Sequence, residues 1–490
     1  MSSQQPRLRR SLVVAALGWC AIPLAGLPVG AQITVDAAAV DAVFADLSDT
    51  TVPGCALGIV QDGRLVYGRG YGMANLELGV PISTRSVFRT GSVSKQFTGA
   101  VVAIAALEGH LDLDDPIRRW VPELPDYGTP LTVRHALHHT SGLRDYLTLM
   151  SLRGLRADDW YTVAELITVQ ARQRELNFAP GSEYLYSNSG YVLLSEVVAR
   201  ATGRSFADYA EEVVFGPLGM TSSHFHDDHD HVVPDRADGY APLPGGGYRT
   251  SMTTLDMVGD GGVYSSIEDM VKWVHALNHD SLRPGLSAFL ETPGVLTSGD
   301  TIPYALGQRH ARYRGLRTIG HGGAFVGFRA DVLRFPGEDV SIVTLCNRSD
   351  ARPSDRAHEV ADVVLADRLA PAAESGGEGG ARNAGDGARP ATPVADAHRY
   401  TGRYYSPELD VEYRIEPTDD GLRVRAGAGI DQPLYRLVGD TLAAGPPRTP
   451  GAFSPTLTFR FRRDNGAVTG FELDAGRVVH VRFDRRPGSP

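Results

Sequence analysis

The stretch "SVSKQFTGAVVAIAALEG", residues 92–109, decides the fold prediction. Its large apolar residues recur at helical spacing, at Val93, Phe97, Val101, Ile104 and Leu107. Gly109 supplies a stop signal, so we predict a helix that begins near Ser92. Residues i and i+3 share one face of a helix. Ser92 and Lys95 are therefore expected to be neighbours on the first turn.

Lys95 is unusual because it is one of only two lysines, with Lys272, among 48 lysine and arginine residues. Arginine stays protonated in proteins, whereas a buried lysine can become neutral and act as a base. A serine hydroxyl becomes a nucleophile when a base takes its proton, and a helix N-terminus favours a developing anion. The pair thus predicts a nucleophile, Ser92, and its base. The alternative is a chance match, which the scarcity of lysine disfavours.

Length and composition describe a globular protein of more than one domain. The chain has 490 residues, of which 42% are hydrophobic and 22% are charged. The formal net charge of −10 argues against non-specific nucleic-acid binding, so we expect no nucleic-acid partner.

The N-terminal residues 1–31 have the pattern of a secretory signal peptide. Arginines precede an apolar run from Leu12 to about Leu27, and small residues follow up to Ala31. We predict cleavage after Ala31 and export, to the periplasm or the medium. No other stretch has the length and apolar character of a membrane span, so we expect no transmembrane segment after cleavage.

The rest of the chain is predicted to contain two domains and a linker. Residues 36–370 mix strands and helices, residues 371–396 are rich in Gly, Ala and Pro, and residues 397–486 alternate short strands with turns. We interpret these as a mixed α/β domain, a flexible linker and a small all-β barrel or sandwich of about eight strands. In the α/β domain, Ser265 and Glu268 form a capping-box pattern at a helix that carries Lys272.

Three separated motifs occur in the α/β domain. They are Ser92-x-x-Lys95, "YSN" at residues 186–188, and "GHGG" at residues 320–323. With these motifs the chain resembles the serine β-lactamase and penicillin-binding protein superfamily, in particular its class C, D-aminopeptidase and esterase-like branch. The resemblance covers roughly residues 40–370. It implies an antiparallel sheet flanked by helices, a helical lobe and a site in the cleft between them. The C-terminal module resembles the lipocalin-like domain often joined to such hydrolases.

The resemblance implies a role for each motif residue. Ser92 would form an acyl-enzyme, Lys95 would take its proton, and Tyr186 would pass protons to the leaving group and activate water for deacylation. Asn188 would bind the substrate amide or the lysine. The oxyanion hole would be the backbone N–H groups of Ser92 and Ala324. Removing one such donor typically lowers the rate by ~10²–10³-fold.

The third motif departs from the penicillin-recognising pattern. Those relatives usually have Lys-Thr-Gly there, whereas this chain has His321, followed by Gly323 and Ala324 at the substrate position. A histidine carries less positive charge than a lysine near neutral pH. The resemblance therefore favours a small ester, amide or short peptide without an essential carboxylate. The alternatives are a β-lactamase, a D-Ala-D-Ala carboxypeptidase, and a non-catalytic binding protein.

The resemblance also concerns the two cysteines of the predicted mature chain. In this superfamily the first strand of the hydrolase sheet pairs with the last, and Cys55 and Cys346 fall in those two strands. We expect them to be near neighbours that a disulfide bond could join, and a Cα separation above about 7 Å would exclude the bond.

The remaining histidines have simpler interpretations. His138 and His139 are interpreted as a structural loop rather than partners of Ser92. The segment "HFHDDHDH", residues 224–231, is interpreted as a solvated loop, with a metal site as the alternative, because strict ligand spacing is absent. We expect no metal and no cofactor, and the oligomeric state stays open. Since every candidate precedes Pro371, the C-terminal module is expected to be dispensable for the chemistry.

Overall fold

A six-stranded antiparallel sheet forms the centre of the α/β domain in the computed structural model. The structure describes residues 32–156, 159–371, 389–419, 421–427, 429–445, 447–449, 452–453 and 456–487. The strands are, in spatial order, Arg309–Tyr313, Leu316–Phe325, Phe328–Phe335, Val340–Cys346, Cys55–Gln61 and Arg64–Tyr71. The predicted signal peptide, residues 1–31, lies outside the described residues.

The first and last strands of this sheet in chain order, Cys55–Gln61 and Val340–Cys346, are neighbours and are joined covalently at one end. Cys55 and Cys346 pair in register with their Cα atoms 4.0 Å apart, and a disulfide bond connects them. Both side chains are fully buried. The expectation that the two cysteines are near neighbours is therefore confirmed. The bond spans a sequence separation of 291, so it removes much of the freedom of the unfolded chain.

Helices cover both faces of the sheet and form a separate lobe. The helix Pro353–Val364 packs on one face, and the helix Ile267–His279 packs on the other. The remaining α-helices of at least five residues are Ala37–Ala42, Ser94–Leu107, Val133–Leu137, Tyr146–Leu152, Val163–Ala171, Asn188–Thr202, Phe206–Ala210 and Leu286–Leu290. The predicted antiparallel sheet with flanking helices and a helical lobe is thus confirmed.

The helix that follows Ser92 begins two residues later than the spacing predicts. Ser92 lies in a 3-10 turn, Gly91–Val93, and the α-helix proper is Ser94–Leu107. Gly91 has a φ of +55°, a conformation that favours glycine, and it sets the tight turn before the helix. Residues Ser94 to Ala105 are all buried, including the polar side chains of Ser94, Lys95, Gln96 and Thr98, so the helix lies inside the domain.

The C-terminal module is a closed eight-stranded barrel, which confirms the predicted all-β domain. Its strands are Gly402–Ser406, Val411–Thr418, Gly421–Ala426, Ile430–Val438, Thr441–Ala444, Leu457–Asp464, Ala467–Ala475 and Val478–Arg485. Of the predicted linker, residues 372–388 lie outside the described residues. Its later part includes the strand Arg389–Pro390, which pairs with Ala452–Phe453.

The barrel docks on the helical lobe through buried polar contacts, and the described residues from Ile33 onward cluster as one unit. The guanidinium group of Arg144, which is fully buried, donates to Glu408 over 3.2 Å and to the carbonyl oxygens of Val479 and His480 over 3.0 and 3.1 Å. Arginine can satisfy several acceptors in one plane, so this side chain fixes the barrel against the lobe.

None of the helices in the described part of the chain is both long enough and apolar enough to span a membrane.

Candidate active site

A cavity of about 920 Å³ lies between the sheet strand Leu316–Phe325, the helical lobe and the barrel. The structure brings all the predicted site residues together here. Six of them line the cavity: Ser92, Tyr186, Asn188, His321, Gly323 and Ala324. Lys95 lies beneath Ser92 and is fully buried.

The ammonium group of Lys95 has three hydrogen-bond acceptors around it. Its Nζ atom lies 3.2 Å from the Oγ atom of Ser92, 2.8 Å from the Oδ1 atom of Asn188 and 2.6 Å from the carbonyl oxygen of Asp260. The sequence analysis expected Asn188 to bind either the substrate amide or the lysine, and this hydrogen bond is to the lysine. Three acceptors match the three N–H donors of a lysine, so the side chain is held with one donor directed at the serine hydroxyl.

Burial is the main reason why Lys95 can become neutral. Removal from water disfavours the charged form and lowers the pKa of Lys95 to about 8, although the negative charges of Asp260 and Asp145 oppose the shift. At this pKa about a tenth of the lysine is neutral at pH 7. A group of this kind can accept the proton of Ser92 near neutral pH.

Tyr186 lies beside the lysine with its hydroxyl directed into the site. The Nζ atom of Lys95 is 4.9 Å from the centre of the Tyr186 ring. The hydroxyl oxygen is shielded from solvent and lies near the Ser92 hydroxyl, which affects its pKa as a hydrogen-bond partner. Burial raises the pKa of Tyr186 well above its ordinary value, while the Ser92 hydroxyl and the charge of Arg477 act in the opposite direction. The phenol is therefore protonated at neutral pH, and its proton is free to be donated.

The backbone around Ser92 contacts the third motif directly. A Cβ atom added to Gly323 would lie 2.0 Å from the carbonyl oxygen of Thr90 and 3.2 Å from the backbone nitrogen of Ser92. One added to Gly91 would lie 2.7 Å from the backbone nitrogen of Ala324. Only glycine permits this approach, which brings the backbone of Ser92 close to that of Ala324 at the cavity wall. The arrangement fits an oxyanion hole.

His321 is neutral and has both ring nitrogens engaged. Burial, followed by the charge of Lys95, lowers the pKa of His321 to about 3. Its Nδ1 atom lies 2.6 Å from the carbonyl oxygen of Gly322, which can only accept, so Nδ1 carries the proton. Its Nε2 atom lies 3.0 Å from the hydroxyl of Tyr304, which therefore donates to it. His321 thus forms part of the cavity wall but brings no positive charge.

The other histidines support structure around the site. His139 accepts a hydrogen bond from the backbone nitrogen of Ser187 over 3.2 Å, and its ring packs on that of Tyr186 with centres 4.2 Å apart. In the segment 224–231, the Nε2 atom of His224 lies 3.1 Å from the Nδ1 atom of His226. Within the described ranges, no group of three or more His, Cys, Asp or Glu side chains is arranged to hold a metal ion.

Among the charged cavity residues that the sequence analysis missed, Arg477 comes from the barrel. It follows Gly476 in the turn that joins the barrel strands Ala467–Ala475 and Val478–Arg485, and both turn residues line the cavity. Its Cζ atom lies 4.7 Å from the centre of the Tyr186 ring. The sequence "DAGRVV" predicts only a turn, because nothing local identifies which barrel turn docks at the site.

Comparison with known proteins gives one family and several relatives. A model of the Beta-lactamase family matches residues 40–366. The D-aminopeptidase of Cereibacter sphaeroides is 28% identical, over 88% of this chain and 96% of the relative. The D-aminopeptidase of Gluconobacter oxydans is 29% identical, over 76% of this chain and 67% of the relative.

Among solved structures, the octameric penicillin-binding protein homologue from Pyrococcus abyssi has a TM-score of 0.61 at 23% identity. The match covers 92% of this chain and 100% of that one, so the two chains share a fold. The three motifs lie inside the matched range 40–366, whereas Arg477 lies outside it.

Proposed function

The chain belongs to the beta-lactamase family and is a serine hydrolase, and we propose that it cleaves an amide or ester through an acyl-enzyme on Ser92. One observation carries the proposal. Lys95, with its pKa lowered to about 8, lies 3.2 Å from the hydroxyl oxygen of Ser92. A nucleophile and a base that can be neutral at physiological pH are therefore within hydrogen-bonding distance.

The first half of the reaction would use three groups. Neutral Lys95 takes the hydroxyl proton while the Ser92 oxygen attacks the carbonyl carbon of the substrate. The negative charge that develops on the carbonyl oxygen is stabilised by the backbone N–H groups of Ser92 and Ala324. The carbon–nitrogen or carbon–oxygen bond then breaks, and the leaving group takes a proton.

Tyr186 is suited to give that proton. Its phenol is protonated and its hydroxyl lies beside that of Ser92, so its proton can pass to the leaving group. The proton on Lys95 can then replace it, because the pKa of Lys95 is lower than that of Tyr186. Water attacks the acyl-enzyme in the second half, with Lys95 and Tyr186 returning the proton to Ser92. Because Tyr186 is not ionised at rest, it would activate water only together with Lys95.

The relatives favour an amide as the substrate. Two curated relatives are D-aminopeptidases, and the Cereibacter sphaeroides protein aligns over nearly its whole length. We therefore propose an amide of a D-amino acid, or a short peptide that contains one, as the substrate class. The neutral His321 stands where the penicillin-recognising pattern has a lysine, so the third motif itself supplies no cation for a penicillin carboxylate.

Three assays test this function. A fluorophosphonate probe should label the wild-type protein and the exposed control Ser298→Ala, but not Ser92→Ala, and mass spectrometry should place the adduct on Ser92. A burst of 4-nitrophenol from 4-nitrophenyl butyrate should be lost in Ser92→Ala. Hydrolysis of D- and L-alanine 4-nitroanilides would show the stereochemical preference. Labelling of folded Ser92→Ala at the wild-type level would overturn the proposal.

We also propose that the protein is exported. The N-terminal signal pattern supports this, and so does the buried disulfide bond between Cys55 and Cys346, since such bonds persist in oxidising compartments. Fractionation of cells that express the full chain, with N-terminal sequencing of the product, tests it. Protein that stays in the cytoplasm with residues 1–31 attached would contradict export.

A further inference from the structure

The barrel turn at Gly476 and Arg477 is built into the cavity rather than lying loosely across it. The carbonyl oxygen of Arg477 accepts hydrogen bonds from the backbone nitrogen of Asp145 over 3.3 Å and from the Asn177 side chain over 2.9 Å. Two residues later, Val479 donates to Asn177 over 3.0 Å and accepts from Arg144 over 3.0 Å. The position of the Arg477 backbone is therefore fixed by the helical lobe.

The guanidinium group of Arg477 has unused donors. It makes one ion pair, to the buried carboxylate of Asp145 at 3.8 Å, which exceeds hydrogen-bonding distance. No hydrogen bond from this side chain to any described residue is formed, and 43% of it is exposed. An arginine has five N–H donors in a rigid plane, a geometry that matches a carboxylate with two parallel hydrogen bonds.

The charge of the cavity favours an anion. Among the described residues that line it, five are arginines and two are aspartates: Arg89, Arg309, Arg329, Arg352, Arg477, Asp260 and Asp355. Asp355 pairs with Arg352 at 3.4 Å. The Asp260 carboxylate accepts a hydrogen bond from Tyr146 over 3.1 Å, and its backbone carbonyl oxygen accepts one from Lys95. Since five arginines face two aspartates among these lining residues, the cavity keeps an excess of positive charge.

We propose that Arg477 binds a carboxylate of the substrate, next to the bond that is cleaved. This inference rests on the proposed function and specifies its substrate class as anionic amides or esters. Arg477 lies over the ring of Tyr186, whose hydroxyl is directed at the reacting centre, so a carboxylate on Arg477 belongs to a group adjacent to the scissile bond. The barrel thereby supplies the cation that the third motif lacks. The neutral His321 alone therefore does not imply weak binding of substrates that carry a carboxylate.

Three chromogenic esters of similar size test this assignment. 4-Nitrophenyl butyrate is neutral, mono-4-nitrophenyl glutarate carries a carboxylate on the acyl side, and 3-carboxy-4-nitrophenyl butyrate carries one on the leaving group. kcat and KM are measured for each ester with the wild type, Arg477→Ala, Arg477→Lys and the control Arg414→Ala. Arg414 is an exposed barrel arginine outside the cavity. Melting temperatures check that each variant is folded.

We expect the ratio of kcat/KM for at least one anionic ester to that for the neutral ester to fall about tenfold or more in Arg477→Ala, mainly through KM. Arg477→Lys should retain part of the ratio, because it keeps the charge but loses the planar pair of donors. Arg414→Ala should retain the wild-type ratio. The ester that responds shows on which side the carboxylate binds. An equal loss for all three esters, or no loss, would overturn the proposal, since a purely electrostatic effect on Tyr186 would not distinguish them.

A binding measurement separates this inference from the proposed reaction. In the Ser92→Ala protein, calorimetry with glutarate should detect binding that weakens about tenfold or more when Arg477→Ala is added. If glutarate binds equally well without Arg477, the inference fails even when the ester hydrolysis depends on Ser92. If hydrolysis does not depend on Ser92 but glutarate binding depends on Arg477, the reaction proposal fails and the anion site stands.

Discussion

The side-chain oxygen of Asn188 lies 2.8 Å from the ammonium nitrogen of Lys95. Asn188 is the first residue of the helix Asn188–Thr202, and its backbone nitrogen donates to the buried carboxylate of Asp145 over 2.8 Å. The helix therefore begins at a fixed position and aims the lysine at Ser92. This relationship explains why a tyrosine, a serine and an asparagine adjacent in sequence act as one motif.

Lys95→Arg should abolish acylation although it keeps the positive charge. A guanidinium group stays protonated in proteins and cannot accept the Ser92 proton. Burst release from 4-nitrophenyl butyrate is compared with that of the matched control Lys272→Arg, since Lys272 is the only other lysine and is partly exposed. Circular dichroism and melting check the fold. Acylation by folded Lys95→Arg within a few-fold of wild type would mean that Lys95 is not the base.

The acylation rate should rise with pH and level off above about pH 8. The folded pKa of Lys95 is lowered from 10.5 to about 8, so the neutral base accumulates as pH rises through 8. His321, with a pKa of about 3, and His139, whose pKa burial also lowers, do not change charge in this range. The kcat/KM profile from pH 6 to 9 with a neutral ester measures the inflection. A flat profile would contradict the assignment.

Gly323→Ala should lower kcat about 10²-fold while leaving most of the fold intact. Its new methyl group would meet the Thr90 carbonyl oxygen at 2.0 Å and push the strand away from the Ser92 N–H group, which disturbs the oxyanion hole. Gly337→Ala is the matched control, because a Cβ there has open space within 4 Å. If Gly323→Ala turns over esters as fast as Gly337→Ala, the backbone contact does not form the oxyanion hole.

Glu408→Ala should weaken the docking of the barrel. The fully buried Arg144 would lose its carboxylate partner, and a buried charge left without a partner typically costs 3–5 kcal/mol, so we expect a loss of about 3 kcal/mol in unfolding free energy. Glu416→Ala removes an exposed ion pair of the same barrel and should change stability by less than about 1 kcal/mol. Denaturant titration of both variants compares them. Equal stabilities would show that the buried pair does not hold the barrel.

Local sequence patterns predicted the site residues that contact each other because of their spacing along the chain. Ser92 and Lys95 lie at i and i+3, and a 3-10 turn followed by a helix preserves their contact even though the helix begins at Ser94. A similar small shift occurs at the helix Ile267–His279. The predicted cap Ser265 ends a strand, and Ser266 is the N-cap, accepting from the backbone nitrogen of Asp269. Two adjacent serines satisfy the same pattern, so only the strand pairing decides between them.

Contacts between distant segments were beyond the sequence. Tyr304 donates to His321, and Arg477 reaches Tyr186 from another domain. Neither Tyr304 nor Arg477 belongs to a motif. Which turn of the eight-stranded barrel meets the lobe depends on the contacts of Arg144 with residues on three separate segments. The motifs locate the nucleophile and its base, whereas the docking of the two domains determines the charge around the substrate.

The arrival of Arg477 from the barrel has a consequence for the order of folding. Domains generally fold as units, so the α/β domain can bring Ser92 and Lys95 together before the barrel has docked. Until the barrel hairpin docks, the nascent enzyme would carry its nucleophile without the guanidinium group that we assign to substrate recognition. Newly made chains would therefore be less selective among substrates than finished ones, and selectivity would be acquired last.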